Sequence, residues 1–320
     1  MFRKVDIMKK ILIFAVVVVV LIMFIVVYIQ YEKDMHAAYQ RVSEGSEKFM
    51  TDYGEIEYSV EGEGTPVLLI HGAGGGYDQG LLMGNNILKE GYEFISVSRF
   101  GYLGSPMIED STVDKQAMMY AQLLDYLNID KVVVFGVSAG GPSAVQFAHD
   151  YPDKSHALIL VSAVAKYMGD DVPTSTKIVN SIQKSDFAYW LVLKLFRTQF
   201  QTFIGISEDT IETLSSEDKE IVDDMLTYMH PMSPRLPGNL HEAAIKPLER
   251  EELSKITVPT IILHAKDDSL VDYDHAIFYK ENIRKAKLVT FNHGGHGMVT
   301  EMKVMHQEIK VFLEKYLYEI

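Results

Sequence analysis

Lys131-Val132-Val133-Val134-Phe135-Gly136-Val137-Ser138-Ala139-Gly140 and the seven residues from Pro142 to Ala148 decide how this chain is read. The run at 131–135 is short, apolar and β-branched, as expected of a strand buried on both faces of a parallel sheet. Residues 142–148 read as a helix. Between them lies Gly-x-Ser-x-Gly. Such a turn holds its serine at a sharp, strained corner, with the hydroxyl exposed above the sheet edge. Glycine on either side spares the corner a Cβ that would strike the neighbouring strand and helix. Ser138 is therefore read as a nucleophile, and the rest of the chain should supply a base, an acid and an oxyanion hole.

The neighbouring segments repeat the same grammar. Residues 53–61 alternate apolar and polar, predicting an exposed strand or hairpin. Apolar strands are predicted at 66–70, 94–98, 157–161, 260–264 and 286–291. A helix is predicted over 112–127, with Met118, Ala121, Leu124 and Leu127 on one face. Another is predicted over 299–318, with Met302, Met305, Ile309, Phe312, Leu313 and Tyr316 on one stripe. Short apolar strands alternating with helices imply a mostly parallel sheet covered on both sides. From 164 to 255 the rhythm changes. No strand is predicted there, only helical segments at 174–183, 187–200, 217–229 and 240–245. Such an insertion implies a helical cap over the C-terminal ends of the strands.

A nucleophilic serine needs a base to take its proton, and the base needs a carboxylate to orient it. After the 260–264 strand, Ala265-Lys266-Asp267-Asp268-Ser269-Leu270-Val271 is a turn with two aspartates. After the 286–291 strand, Asn292-His293-Gly294-Gly295-His296-Gly297 is a glycine-rich turn with two histidines. Both turns fall at the strand ends where open α/β sheets bind ligands. A tetrahedral intermediate also needs two N–H groups aimed at its oxyanion. Ala139 is expected to give one. The loop His71-Gly72-Ala73-Gly74-Gly75-Gly76 is expected to give the other, from Ala73 or from Gly74.

Together these residues resemble the α/β-hydrolase superfamily, in its serine-nucleophile branch with a helical cap, over about residues 53–317. That resemblance implies an eight-stranded, mostly parallel sheet with helices on both faces. It implies Asp268 rather than Asp267 as the acid, since Val271 then aligns with the family's Gly-x-x-Asp-x-x-Val turn, although Ala265 stands where glycine is frequent. It implies His296 rather than His293 as the base. Arg99-Phe100-Gly101-Tyr102-Leu103-Gly104-Ser105 resembles the family's next glycine-containing loop. Serine at the elbow argues against haloalkane dehalogenases and epoxide hydrolases, which place aspartate there. The oxyanion loop lacks the Gly-Gly-Pro-Gly of proline-specific aminopeptidases.

Composition sets wider limits. The 320 residues are 48% apolar and 23% charged, with a net charge of −14. Such acidity argues against a nucleic-acid partner. The absence of cysteine excludes disulfides, thiolate metal sites and a cysteine nucleophile. No cofactor or metal is required by the expected chemistry.

Residues 11–28 carry no charge and as a helix would span roughly 27 Å, about the thickness of a bilayer core. Arg3, Lys4, Lys9 and Lys10 precede the run, so the positive-inside rule keeps the N-terminus cytoplasmic. A cleaved signal would have a shorter apolar region and a small-residue cleavage site close behind it. The expected plan is a tail (1–10), a transmembrane anchor (11–28), a stalk (29–50), a core (51–163 and 256–320) and a cap (164–255). It makes a single-pass protein of the cell membrane with an extracytoplasmic catalytic domain.

The expected activity is hydrolysis of a small-molecule or lipid ester. Carbon–carbon bond hydrolysis of a dienone-type substrate is the enzyme alternative. Against it, a tryptophan often follows the base histidine in that group, and here Gly297 does. A cap arginine helps bind the substrate acid there; Arg197 lies on the cap, although a solvated role is favoured for it. A non-catalytic binding module is the remaining alternative. The cap residues Phe187, Tyr189, Trp190, Leu193, Phe196 and Phe200 suit an acyl-binding wall, internal packing or bilayer contact. His71 is expected to brace its loop, and His264 to pack at a strand end. Asp267 is read as a helix N-cap or a solvated residue.

Overall fold

In the computed structural model the described residues are 2–167, 174–203, 206 and 208–317. The chain opens with one continuous helix, α1 (Phe2–Glu44). By length and composition α1 is able to cross a membrane, and the rest of the molecule leaves its most apolar stretch uncovered. The helix carries on through most of the segment expected to be a stalk.

Eight strands follow: β1 (Glu47–Thr51), β2 (Gly54–Gly62), β3 (Thr65–Ile70), β4 (Tyr92–Val97), β5 (Val132–Val137), β6 (Ser155–Val161), β7 (Thr260–Ala265) and β8 (Lys287–Phe291). They form one sheet in the order β1-β2-β4-β3-β5-β6-β7-β8. The β1–β2 and β2–β4 pairs are antiparallel and the rest are parallel. β1 begins inside the expected stalk and makes a hairpin with β2.

Alternation along the central strands splits the core into two layers, because successive side chains face opposite ways. Leu68, Ile70, Val132 and Val134 pack under α3 (Val113–Tyr126), α4 (Gly141–Asp150) and α12 (Asp274–Asn282). Val67, Leu69, Val133 and Phe135 pack under α2 (Tyr77–Ile87) and α13 (Met302–Leu317). α13 buries Met302, Met305, Ile309, Phe312 and Leu313, whereas Tyr316 stays exposed beside Phe312. In α3 it is Met119, not Met118, that is fully buried; the helix is covered by α4 as well as by the sheet, which widens its apolar face.

Between β6 and β7 the described residues form helices and no strand: α5 (Thr174–Ile182), α6 (Asp186–Leu195), α7 (Arg197–Phe203), α8 (Glu208–Thr213), α9 (Ser216–Thr227), α10 (Leu236–His241) and α11 (Arg250–Leu253). The single helix expected over 187–200 is broken at Phe196, whose backbone leaves the helical region (φ −123°, ψ 40°). No glycine or proline marks that break in the sequence.

Candidate active site

Ser138 sits between β5 and α4 at φ +51°, a left-handed conformation uncommon for a residue with a side chain. The flanking glycines explain how the turn closes. A Cβ on Gly136 would lie 2.5 Å from Ala144 Cβ of α4. A Cβ on Gly140 would lie 2.5 Å from the carbonyl oxygens of Ile70 and His71, at the end of β3. Only glycine fits at either place. The loop after β6 fastens the turn: Val164 N–H donates to the Ser138 carbonyl (2.9 Å), and the Ser162 hydroxyl donates to the His296 carbonyl (3.0 Å).

The structure brings Ser138, His296 and Asp268 together. His296 Nε2 lies 3.0 Å from Ser138 Oγ, and His296 Nδ1 lies 2.8 Å from Asp268 Oδ2. Asp268 also accepts the N–H groups of Leu270 and Val271, both at 2.9 Å. Burial alone would raise its carboxyl; hydrogen bonds from His264, His296 and Val271, with the charge of His296, more than reverse this and hold it well below the ordinary carboxylate value. An ionised Asp268 only accepts, so His296 Nδ1 carries the proton and Nε2 turns its lone pair toward Ser138.

Two neighbours hold more than the sequence suggested. Asp267 accepts Gly295 N–H at 2.9 Å and Gly294 N–H at 3.3 Å, which shapes the turn carrying His296. It is neither a helix N-cap nor merely solvated. The exposed His293 meets Asp267 at 3.5 Å, and it is His296 that reaches Ser138 Oγ. His264 is fully buried; its Nε2 donates to the Val271 carbonyl (2.8 Å) and lies 3.2 Å from Asp268 Oδ2.

The loop after β3 is braced from both ends. His71 Nδ1 donates to the Gly72 carbonyl (2.7 Å), and His71 Nε2 accepts Arg99 N–H (3.0 Å). Burial and the nearby Arg99 push the His71 imidazole well below its ordinary value, consistent with a neutral ring in this role. The Arg99 guanidinium reaches the same Gly72 carbonyl (3.1 Å) and pairs with Glu242 at 2.5 Å. The Gly74 N–H donates to Asn239 Oδ1 at 2.5 Å, so it is occupied. Among the described residues no protein acceptor engages the Ala73 N–H, and both Ala73 and Ala139 line the cavity beside Ser138. Of the two candidates on this loop, the geometry leaves Ala73 available and engages Gly74.

A sequence model of the alpha/beta hydrolase fold matches residues 65–301. The chain belongs to that family. An uncharacterized hydrolase of Bacillus subtilis, YcgS, is 31% identical over 258 residues, covering 77% of this chain and 89% of its own. The 2-hydroxy-6-oxo-6-phenylhexa-2,4-dienoate hydrolase of Comamonas testosteroni is 24% identical over 268 residues, covering 78% of this chain and 87% of its own. A solved alpha/beta hydrolase fold protein from Nakamurella multipartita superposes with a TM-score of 0.71 at 26% identity, covering 84% of this chain and 99% of that one.

In this hydrolase the serine opens into a cavity of about 410 Å³. Leu82, Met83, Phe135, Val137 and Val164 line it from the sheet side; Val179, Met225, Met229 and Ile245 line it from the segment between β6 and β7. Its polar groups include Lys166, Asn180, Gln183, Asn239 and Glu242. None of Phe187, Tyr189, Trp190, Leu193, Phe196 and Phe200 lines the cavity. Tyr189, Leu193 and Phe200 pack on Leu226 and Met232, while Phe187 and Trp190 pack on α1. Phe196 is exposed. Arg197 pairs with Asp223 at the surface and does not line the cavity.

Proposed function

We propose that this chain is a membrane-anchored serine hydrolase of carboxylic esters. The observation that carries the reading is the aligned relay from Asp268 through His296 to Ser138 Oγ, opening on a cavity walled largely by apolar side chains. As His296 Nε2 takes the hydroxyl proton, Ser138 Oγ attacks the ester carbonyl carbon. The imidazolium that forms is stabilised by the ionised Asp268. The negative charge moves to the carbonyl oxygen, where the N–H groups of Ala73 and Ala139 receive it. The tetrahedral intermediate collapses, His296 returns the proton to the departing alkoxide, and an acyl-Ser138 remains. Water, deprotonated by the same histidine, then releases the acid.

The interposed helices act as the cap over this site. Asn239 and Glu242 from that segment fix the oxyanion loop through Gly74 and Arg99, so cap position and loop shape are linked. The apolar helix α1 anchors the protein, with its basic N-terminal tail cytoplasmic and the hydrolase domain on the other side. The membrane is thus the partner reached through α1, and a small-molecule or lipid ester is the substrate.

A second reading is cleavage of a carbon–carbon bond in a dienone acid, as the name of the Comamonas relative describes. Lys166 favours it, since it lines the cavity and is the one basic side chain besides the histidines to do so among the described residues, although its ammonium rests over the Phe278 ring. A panel of esters of rising acyl length, assayed on the full chain and on Ser138→Ala, tests the first reading. Ser138-dependent ester turnover is expected. Its absence, with turnover of a dienone acid, would replace the first reading with the second.

A further inference from the structure

The helix α1 does not end at the edge of its apolar run. Val27, inside that run, and Tyr31, Met35 and Ala38 form one stripe that meets Phe187, Trp190 and Leu191 of α6. Tyr31 contacts the rings of Phe187 and Trp190 edge-on, with centroids 5.0 and 5.6 Å away. Polar contacts fix the direction. The Tyr39 hydroxyl donates to Asp186 at 2.9 Å, Trp190 Nε1 donates to Asp34 at 2.9 Å, and Lys194 Nζ lies 3.0 Å from Asp34. Residue order is thus opposed along the two helices, and the C-terminal end of α6 points back toward the apolar run.

The depth follows from helix geometry. At 1.5 Å per residue, Leu195 lies roughly 7 Å beyond Trp190 in that direction. Trp190 contacts Tyr31 and Asp34, so this advance carries Leu195 toward Tyr28, where the apolar run ends. There Leu195 is 65% exposed and Phe196 52% exposed, and the helix breaks. The charges beside them are already matched: Lys194 with Asp34 and Arg197 with Asp223. Tyr31 and Trp190 pack together just short of that end and Tyr28 stands at it, the placement of interfacial aromatic residues.

Resting on the anchor reading above, we propose that Leu195 and Phe196 form a lipid-contact surface that sits in the bilayer crossed by α1. The cap is then held at a fixed height on the membrane, strapped by α1 on one side and seated by these two side chains on the other. Acyl chains would cover both side chains there.

The chain has no cysteine, so single labels are readily placed. Leu195→Cys, Phe196→Cys, Val20→Cys and Glu44→Cys would each carry an environment-sensitive fluorophore on the full chain in phosphatidylcholine vesicles. Glu44 closes α1, roughly 24 Å beyond Tyr28, and serves as the water-side reference. Labels at 20, 195 and 196 should be blue-shifted and quenched severalfold more than at 44 by nitroxide-bearing lipids. Quenching at 20 with positions 195 and 196 behaving like 44 would overturn the proposal and leave the anchor standing. An unquenched label at 20 would remove the anchor reading and this proposal with it. Shielding at 195 that grows with protein density but resists lipid quenchers would assign the surface to a second copy instead, and also overturn it.

Discussion

The corner around Ser138 and the joint where α1, α2 and the interposed helices meet are built on different principles. At the corner, backbone geometry decides: Gly136 and Gly140 stand where a Cβ would be 2.5 Å from a neighbouring atom. At the joint, charge pairing decides. Arg235, fully buried, donates two bonds to Asp78 at 2.7 and 2.9 Å; Arg41 of α1 reaches the same carboxylate at 3.2 Å. Arg41 also donates to the His230 carbonyl and stacks on Tyr228. The corner tolerates one residue type at each key place. The joint needs only complementary charges from three distant parts of the chain, so it is more open to sequence change but costly to unbalance.

The sharpest way to separate the two regions is to damage each alone. Asp268→Asn should lower kcat on a turned-over ester by about 10⁴-fold, the scale of such a change in a Ser-His-Asp relay, with the joint intact. A loss below tenfold would mean that Asp268 does not set the state of His296. Asp78→Ala should leave Arg235 buried and unpaired and destabilise the fold by about 3–5 kcal/mol in chemical denaturation. A cost near that of a surface pair would show that the joint opens easily.

The joint should also respond to pH. Burial above all, with the charges of Arg235 and Arg41, brings the His230 imidazole down to about 4, against an opposing pull from Asp186. The unfolded chain therefore binds more protons than the fold between about 6.5 and about 4. Its stabilising contribution is complete above 6.5 and is lost as pH falls through that window, by up to about 3 kcal/mol. His230→Phe should flatten this part of the stability curve. A mutant curve parallel to the wild type would dismiss His230 as the source. The smallest expected effect returns to the corner: Asp267→Ala removes two bonds to the His296 turn and should reduce kcat roughly tenfold, about 1–2 kcal/mol. An unchanged rate would show that the turn holds its shape without Asp267.

The same contrast explains what was legible in the sequence. The strand runs and the elbow could be read because close approach and two-sided burial restrict residue choice locally. The eight-stranded sheet and the family follow from those signals, and the family match over 65–301 bears them out. The bond from Asn239 to Gly74 joins residues 165 apart, and the Arg99–Glu242 pair spans 143. Neither carries a local pattern. Asp267 and His264 were visible as residues next to the acid turn, but their partners depend on how β7 and β8 place two turns side by side. On α6 the aromatic residues announced burial without saying against what. Trp190 and Phe187 proved to face α1, and Tyr189 and Leu193 the neighbouring helices, because periodicity reports a buried face but not its partner.

The central claim is that Ser138 is an activated nucleophile. Intact-mass measurement of the full chain after reaction with a fluorophosphonate tests it most directly. The expected result is a single adduct on wild-type protein, located at Ser138, absent from Ser138→Ala and strongly slowed in Asp268→Asn. Wild-type protein that stays unlabelled, or labelling that persists in Ser138→Ala, would contradict the account.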